Sequence, residues 1–155
     1  MQEIISKDVV EKWLTGWSIS RGLPLPSTFL SGFKVEVNNE RQKIRYVFPN
    51  LNDDFFLLAR TVVEPWVFLK VCAPPENLIH LLPPRWVIQP QGYMMHCYHP
   101  MSIKTLIEKK EFKLELEESG ATYFLKIKDN LGHLAACGRV IFIDDVAFMT
   151  VFQQS

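Results

Sequence analysis

Residues 112–152 read FKLELEESGATYFLKIKDNLGHLAACGRVIFIDDVAFMTVF, and their alternating pattern decides the fold class. Leu114 and Leu116 alternate with charged neighbours, which is the two-residue period of a half-exposed strand. Further strand-like segments follow, and each begins after a short sequence typical of a tight turn. The turn sequences lie at residues 119–120, 129–132 and 144–145. The stretch therefore predicts an antiparallel meander of four strands.

The residues before the meander predict an α/β region. A helix capped by Ser6 is expected to run to about Ser20, because apolar residues recur there at helical spacing. A second helix is expected to start at Asn50 or Asn52 and to stop before Pro65. Strands are expected at residues 33–37, 43–48 and 66–72, with a turn at 38–40 and a short helix at 74–82. The strand at 66–72 is expected to be buried, because it is a short apolar run bounded by prolines. Together with the meander, this region predicts an α+β fold with a mainly antiparallel sheet.

Composition and charge limit the classes of function. The 155 residues are 48% hydrophobic, which is enough for a buried core, and 17 Lys plus Arg balance 17 Asp plus Glu. This balance argues against a nucleic-acid partner, because phosphate binding needs a net or clustered positive charge. The three widely spaced cysteines argue against a disulfide framework, and no apolar run is long enough to cross a membrane. We therefore expect a cytoplasmic protein with neither a nucleic-acid nor a membrane partner.

The meander resembles the N-terminal half of an acetyltransferase domain of the GNAT superfamily. The resemblance rests first on the small-residue string at residues 135–140, Ala-Ala-Cys-Gly-Arg-Val, on the third strand. Further strings resemble bacterial GNAT proteins with an extra N-terminal region: Trp13-Leu14-Thr15-Gly16-Trp17-Ser18, Arg45-Tyr46-Val47-Phe48-Pro49, Glu64-Pro65-Trp66-Val67-Phe68-Leu69-Lys70, Pro84-Arg85-Trp86 and Gly92-Tyr93-Met94-Met95. The resemblance covers essentially the whole chain. It implies a half-GNAT-like α/β accessory region at residues 1–100 and the N-terminal half of a GNAT domain at residues 101–155.

This resemblance implies transfer of an acetyl group to an amine, with acetyl-CoA as the cosubstrate. The backbone at Phe152, Gln153 and Gln154 would contact the acetyl carbonyl and the pantetheine arm. In the superfamily a phosphate-binding loop of pattern Arg/Gln-x-x-Gly-x-Gly/Ala follows, and no Gly-x-Gly occurs in this sequence. We therefore expect this 155-residue chain, truncated before that loop, to bind acetyl-CoA weakly and to be inactive by itself. The resemblance assigns neither a catalytic base nor the acceptor amine.

A different class of function stays open, namely a non-catalytic module that binds a partner or a second copy of itself. The predicted strand at residues 147–152 carries no proline and no charged residue that would protect its edge. Two copies can satisfy each other across a two-fold axis, which is the commonest symmetry of oligomers. We therefore expect a homodimer through this C-terminal strand.

Two groups of acidic side chains are further candidates with simpler structural explanations. Glu115, Glu117 and Glu118 could act as a base or bind an amine, but their alternation with apolar residues indicates a solvated face. Asp144 and Asp145 could do the same, although both residues are typical of turns.

Histidine and cysteine residues offer the last candidates. The string His96-Cys97-Tyr98-His99 contains good zinc ligands, but a zinc site needs three or four, and His80 and His133 lie far away in the sequence. We predict no metal. Cys72 and Cys137 are expected to be packed strand residues and not nucleophiles, because no His and Asp arrangement accompanies them.

Overall fold

A computed structural model describes residues 5–92, 94–95, 97, 99 and 112–152, with the backbone alone at residues 150–152. These residues form an α+β fold whose strands pair mainly in antiparallel fashion, which confirms the predicted class at that level. Contacts along the chain divide it into two compact units, Met1–Met94 and Met95–Ser155. No helix within the described ranges has the length and apolarity needed to cross a bilayer.

The first unit combines two helices with one four-stranded sheet. Its elements are α1 (Lys7–Ile19), β1 (Ser27–Phe29), β2 (Gly32–Asn39), β3 (Gln42–Phe48), α2 (Asp53–Thr61) and β4 (Val67–Val71), followed by 3-10 helices at Pro75–Asn77 and Ile79–Leu81. The strand order is β1-β2-β3-β4, and the β3–β4 pair alone is parallel among the described pairs. A parallel pair needs a crossover connection, which α2 supplies.

Side-chain caps fix where the two helices begin. The Ser6 hydroxyl accepts a hydrogen bond from the backbone N–H of Val9 at 3.2 Å, as predicted for the start of α1. The Asn52 side chain accepts from the N–H of Phe55 at 3.0 Å, so Asn52 is the one of the two candidate starts that caps α2. Each cap satisfies an N–H group that has no partner within the helix.

The opposite end of α2 is closed by residues distant in sequence. The Arg85 guanidinium donates to the carbonyl oxygens of Ala59, Arg60 and Val62. The indole N–H of Trp86 donates to the same Ala59 carbonyl at 2.7 Å. The last carbonyls of a helix lack intrahelical partners, so these donors hold the Pro84-Arg85-Trp86 string against α2.

The two helices cover opposite faces of the first sheet. On one face α1 contacts β2 and places Trp17 against Arg45 of β3. On the other face Phe55 of α2 meets Phe48 of β3 edge to face, with ring centres 5.8 Å apart. Arg45 and Phe48 are three residues apart on one strand, so alternation sends them to opposite sides. The first sheet is therefore buried by a helix on each face.

Three details of the first unit differ from the sequence prediction. β2 continues through Asn38 and Asn39 with a bulge, and the turn falls at residues 40–41 instead of 38–40. The predicted buried strand at 66–72 is the half-exposed strand β4, which lies at an edge because it has one strand neighbour among the strands that the structure describes. The short strand β1 was not predicted, since three residues carry no periodic signal.

The second unit is the four-stranded meander. Its strands are β5 (Phe112–Ser119), β6 (Thr122–Asp129), β7 (Leu134–Ile143) and β8 (Val146–Phe152). They pair in sequence order, β5-β6-β7-β8, and every pair is antiparallel, which confirms the predicted meander. His133, expected as the first residue of the third strand, lies in the preceding turn. Its N–H and that of Leu131 donate to the Asp129 carboxylate, which orders that turn.

Candidate functional site

The residues that the resemblance assigns to acetyl-CoA lie on β8 and beyond it. Phe152 is the last residue of β8, and its Cα pairs with that of Cys137 on β7. Gln153 and Gln154 lie outside the described residues, so their assignment remains a prediction. Among the described strands, β8 has β7 on one side and no strand on the other. The outer backbone groups of β8 therefore form an edge to which an extended ligand or chain can add.

The strand register sorts the side chains of the meander onto two faces. Residues directly opposite each other in an antiparallel pair point to the same side. Pairing Leu116 with Leu125, Leu125 with Gly138, and Val140 with Met149 defines one side, which we call the apolar face. Its described members are Phe112, Leu114, Leu116, Tyr123, Leu125, Ile127, Ala136, Gly138, Val140, Phe142, Ala147 and Met149, with Glu118 and Asp129 at the strand ends.

The apolar face is exposed to an unusual extent. Five of its large side chains are between 46% and 66% exposed, although their strands are regular. These five are Phe112, Leu114, Leu116, Phe142 and Met149. Tyr123 and Phe142 pack on each other edge to face, with ring centres 5.4 Å apart, so the face is ordered by contacts within the sheet. A contiguous apolar surface of this kind typically marks an interaction site.

The opposite side of β5 and β6 carries ion pairs. Glu115 accepts from Lys128 at 2.7 Å and Glu117 accepts from Lys126 at 2.8 Å. The hydrogen bond from Lys128 is the largest cause of a lowered pKa at Glu115, and that from Lys126 acts in the same way at Glu117. A carboxylate with a lowered pKa is a weaker base, so neither residue is suited to accept a proton at neutral pH. These two glutamates are therefore surface pairing residues, as the alternation indicated.

The remaining acidic candidates have local structural roles. Glu118 lies on the other side of β5 and accepts a hydrogen bond from the Tyr123 hydroxyl at 3.2 Å. Its negative charge is the largest cause of a raised pKa at Tyr123. Asp144 and Asp145 form the turn between β7 and β8, and Asp144 adopts a positive φ of 50° there. An aspartate tolerates this left-handed conformation better than most residues, which supports the turn interpretation.

The histidine and cysteine candidates are not brought together in the described part of the chain. The Cys97 thiol contacts the carbonyl oxygen of His99 at 3.1 Å, while His96 and Tyr98 lie outside the described residues. His133 contacts the Asp129 carboxylate at 3.0 Å in the β6–β7 turn. Among the residues with described positions, no three His, Cys, Asp or Glu side chains form a group that could hold a metal ion.

The two strand-associated cysteines are half-buried. Cys72 directly follows β4, and burial raises the pKa of its thiol. Because the thiolate is the reactive form, a raised pKa makes Cys72 a poor nucleophile at neutral pH. Cys137 lies within β7, opposite Lys126 of β6.

A cationic cluster around Trp17 was not predicted. The Arg45 guanidinium carbon lies 3.8 Å from the centre of the Trp17 ring, and that of Arg21 lies 4.7 Å from it. Burial first, and the charge of Arg21 second, lower the pKa of Arg45 to about 10. The sequence did carry a signal, since Arg45 and Val47 are two residues apart on β3 and therefore share a buried face. The cluster fastens the C-terminal end of α1 to β3 by cation–π contacts.

A shallow, open depression beside the β2–β3 turn is the other polar feature of the first unit. Glu36, Glu40, Lys43 and Glu64 contribute to its lining. The Glu36 carboxylate is bound by Lys34 at 2.7 Å. A depression this open leaves a bound molecule in contact with solvent, so it lacks the enclosure typical of small-molecule sites.

The described residues thus define an α+β protein with two mainly antiparallel sheets, one covered on both faces and one with an exposed apolar face. Comparison with protein-family models, with curated proteins and with solved structures yields no match to this chain. Functional inference for this protein therefore rests on its own residues and on the resemblance of its sequence strings.

Proposed function

We propose that this chain belongs to the acetyl-CoA-dependent N-acetyltransferases, with β5–β8 as the N-terminal half of a GNAT domain and the first unit as an accessory region. The observation that carries the proposal is the order β5-β6-β7-β8, in which β8 lies at an edge among the described strands. The resemblance assigns acetyl-CoA contacts to the end of this fourth meander strand. An open edge there is what such contacts require.

The chemistry sets the demands on the site. The amine nitrogen attacks the thioester carbonyl carbon, the new C–N bond forms, and the C–S bond breaks to release the thiolate of CoA. The amine loses a proton and the thiolate gains one, while N–H donors stabilise the negative charge that develops on the carbonyl oxygen. Backbone N–H groups at a strand edge are suitable donors, because they are held in place before the reaction begins.

In this proposal the pantetheine arm of acetyl-CoA adds to β8 as an extra strand would. The arm contains two amide groups, which can exchange hydrogen bonds with the outer N–H and C=O groups of β8. The acetyl group then lies near Phe152, with the predicted positions Gln153 and Gln154 next to it. Glu115 and Glu117 are held in ion pairs with lysines, and no side chain is assigned to proton transfer.

Nuclear magnetic resonance titration of the ¹⁵N-labelled protein tests this proposal. Acetyl-CoA and S-acetylpantetheine, which lacks the nucleotide and its phosphates, are added separately to millimolar concentration. Both are expected to shift amide resonances along β8, because both carry the same pantetheine amides. The amides of β5, at the other edge of the sheet, serve as the internal control and should not move. Unchanged β8 resonances in millimolar acetyl-CoA, or shifts confined to other elements, would contradict the proposal.

A further inference from the structure

The apolar face of the meander has the chemistry of a buried surface. Antiparallel sheets commonly keep one face solvated and pack the other against a core. On the opposite side, Glu115 and Glu117 of β5 form ion pairs with lysines of β6, while β7 and β8 carry Ile141 and Phe148 there, and Ile141 is 3% exposed. The apolar face carries charges only at its strand ends, yet Leu116 is 66% exposed and Met149 is 60% exposed. A sheet of this kind is completed by a second apolar layer.

We propose that this layer is the apolar face of a second copy of the chain, packed face to face across a two-fold axis. Two sheets packed in this way form a sandwich, about 10 Å thick, with side chains from both inner faces interdigitating. The inference goes beyond acetyl transfer, and it places the interface on the face of the meander and not along the C-terminal strand. The β8 edge stays open in such a dimer, so the two proposals are compatible and separately testable.

The area of the face reaches the lower bound for a specific dimer interface. Strands of seven to ten residues give a face about 25 Å long, and four strands give a width of about 19 Å. Packing two such faces covers about 500 Å² on each copy and about 1,000 Å² in total, which is the lower bound for a specific interface. Pairing along the single edge strand β8 would engage about a quarter of this surface. Area therefore favours the face over the edge.

The centre of the face carries no charged residue among its described members. The two charged residues of the face, Glu118 and Asp129, lie at strand ends, where a rim open to water can accommodate them. Glu118 is bound to the Tyr123 hydroxyl and Asp129 to the β6–β7 turn. Packing the face on its own copy therefore buries no charge at the centre of the interface. A partner with a charged surface would leave those charges desolvated and without partners.

Analytical ultracentrifugation over about 1–100 µM protein tests the inference, since ordinary dimers dissociate in or below this range. Leu116→Glu and Met149→Glu place a charge on β5 and β8, at opposite sides of the face. Both are expected to weaken dimerisation by about 100-fold, because each buries a carboxylate in an apolar interface. Leu131→Glu is the matched control, because Leu131 is 81% exposed in a turn outside the face. The control should leave the dimer unchanged.

Three other results of the sedimentation experiment would contradict the inference, and each points to a different explanation. A monomeric wild-type protein would mean that the face is covered within its own chain or by a different partner. A dimer disrupted by Met149→Glu but not by Leu116→Glu would place the interface at the β8 edge. A dimer that survives both changes would place it elsewhere. If Leu116→Glu does not fold by circular dichroism, Leu116→Ala replaces it and is expected to weaken dimerisation about tenfold; an unchanged dissociation constant would overturn the inference.

Acetyl-CoA titration and sedimentation report on different surfaces. Loss of self-association in Leu116→Glu should leave any β8 shifts caused by acetyl-CoA intact. Failure of the acetyl-CoA titration leaves the sedimentation result unaffected, so the two proposals stand or fall separately.

Discussion

The two units each contain a sheet of four strands, but the sheets differ in what lies on their faces. In the first unit α1 and α2 cover the two sides, and Phe33, Phe48 and Phe55 are almost fully buried. In the second unit Ile141 is the one buried hydrophobic residue among the described positions, and it lies on the side opposite the apolar face. A complete ladder of backbone hydrogen bonds is therefore not sufficient to make a core. The free energy of burial needs a second layer, and the meander does not supply one itself.

Replacing one large side chain by alanine on each sheet tests the difference in burial between the two units, and the largest effect is expected here. Phe48→Ala removes a fully buried ring and is expected to cost about 3–5 kcal/mol of unfolding free energy. Leu116→Ala, at protein concentrations where the chain is monomeric, is expected to cost less than about 0.5 kcal/mol, because the side chain is largely in water. Urea unfolding followed by circular dichroism measures both. Tryptophan fluorescence reports on the unfolding of the first unit alone, since all four tryptophans lie there. Equal costs would show that Leu116 is buried in the folded protein and would break the comparison.

A glycine pair tests how tightly the first unit is packed. A Cβ atom at Gly32 would lie 2.5 Å from the backbone oxygen of Val47 and 2.9 Å from the Phe48 ring. Gly32→Ala is therefore expected to cost about 1–3 kcal/mol, because a backbone atom must move to relieve the overlap. Gly22→Ala is the control, since its positive φ of 63° imposes a conformational cost of about 1 kcal/mol without any contact within 4 Å. Thermal unfolding of both variants is followed by tryptophan fluorescence, and the midpoint is expected to fall further for Gly32→Ala than for Gly22→Ala. A larger effect at Gly22 would contradict the close approach of β2 and β3.

The smallest expected effect is a pH dependence of the meander. Ion pairs with lysines lower the pKa values of Glu115 and Glu117 in the folded state below the ordinary value of 4.5. Carboxylates with lowered folded-state pKa values stabilise the fold above pH 4.5, and this contribution is lost as the pH falls through those values. The double variant Glu115→Gln, Glu117→Gln should therefore lose part of the acid sensitivity of the wild type, and Glu40→Gln in the β2–β3 turn should not. Unfolding temperatures from pH 7 to pH 3, followed by circular dichroism, provide the measurement. Identical profiles for the wild type and the double variant would show that the pairs do not contribute to stability.

The sequence predicted the elements that local patterns specify. Leu114 and Leu116 alternate with charged residues, and the turns at Gly120 and Gly132 carry positive φ angles that glycine adopts without strain. Ser6 and Asn52 capped their helices because a side-chain oxygen followed by an apolar periodic segment is a local signal. These features need only neighbours in sequence, which is why they could be read directly.

Features that depend on distant residues could not be predicted in the same way. The parallel pairing of Ile44 with Val67 joins strands separated by a helix, and no local pattern specifies it. The contact of Arg85 with the end of α2 spans more than twenty residues. On the candidate site, alternation indicated which meander residues share a face, but what covers that face depends on a second layer. Phe152 was placed correctly at the end of a strand, whereas its role in binding acetyl-CoA stays a prediction.

The parallel β3–β4 pair also has a consequence for the time course of folding. Each strand of the meander meets its partner across a short turn, so that sheet can grow by successive hairpins. β4 has no strand neighbour until the chain has closed a loop from Phe48 to Val67, which carries α2 with it. Closing the loop lowers the chain entropy before the contacts between β3 and β4 can stabilise the chain, so a non-local pairing of this kind slows folding. The first unit gains its well-buried core through a slower step than any that the exposed meander requires.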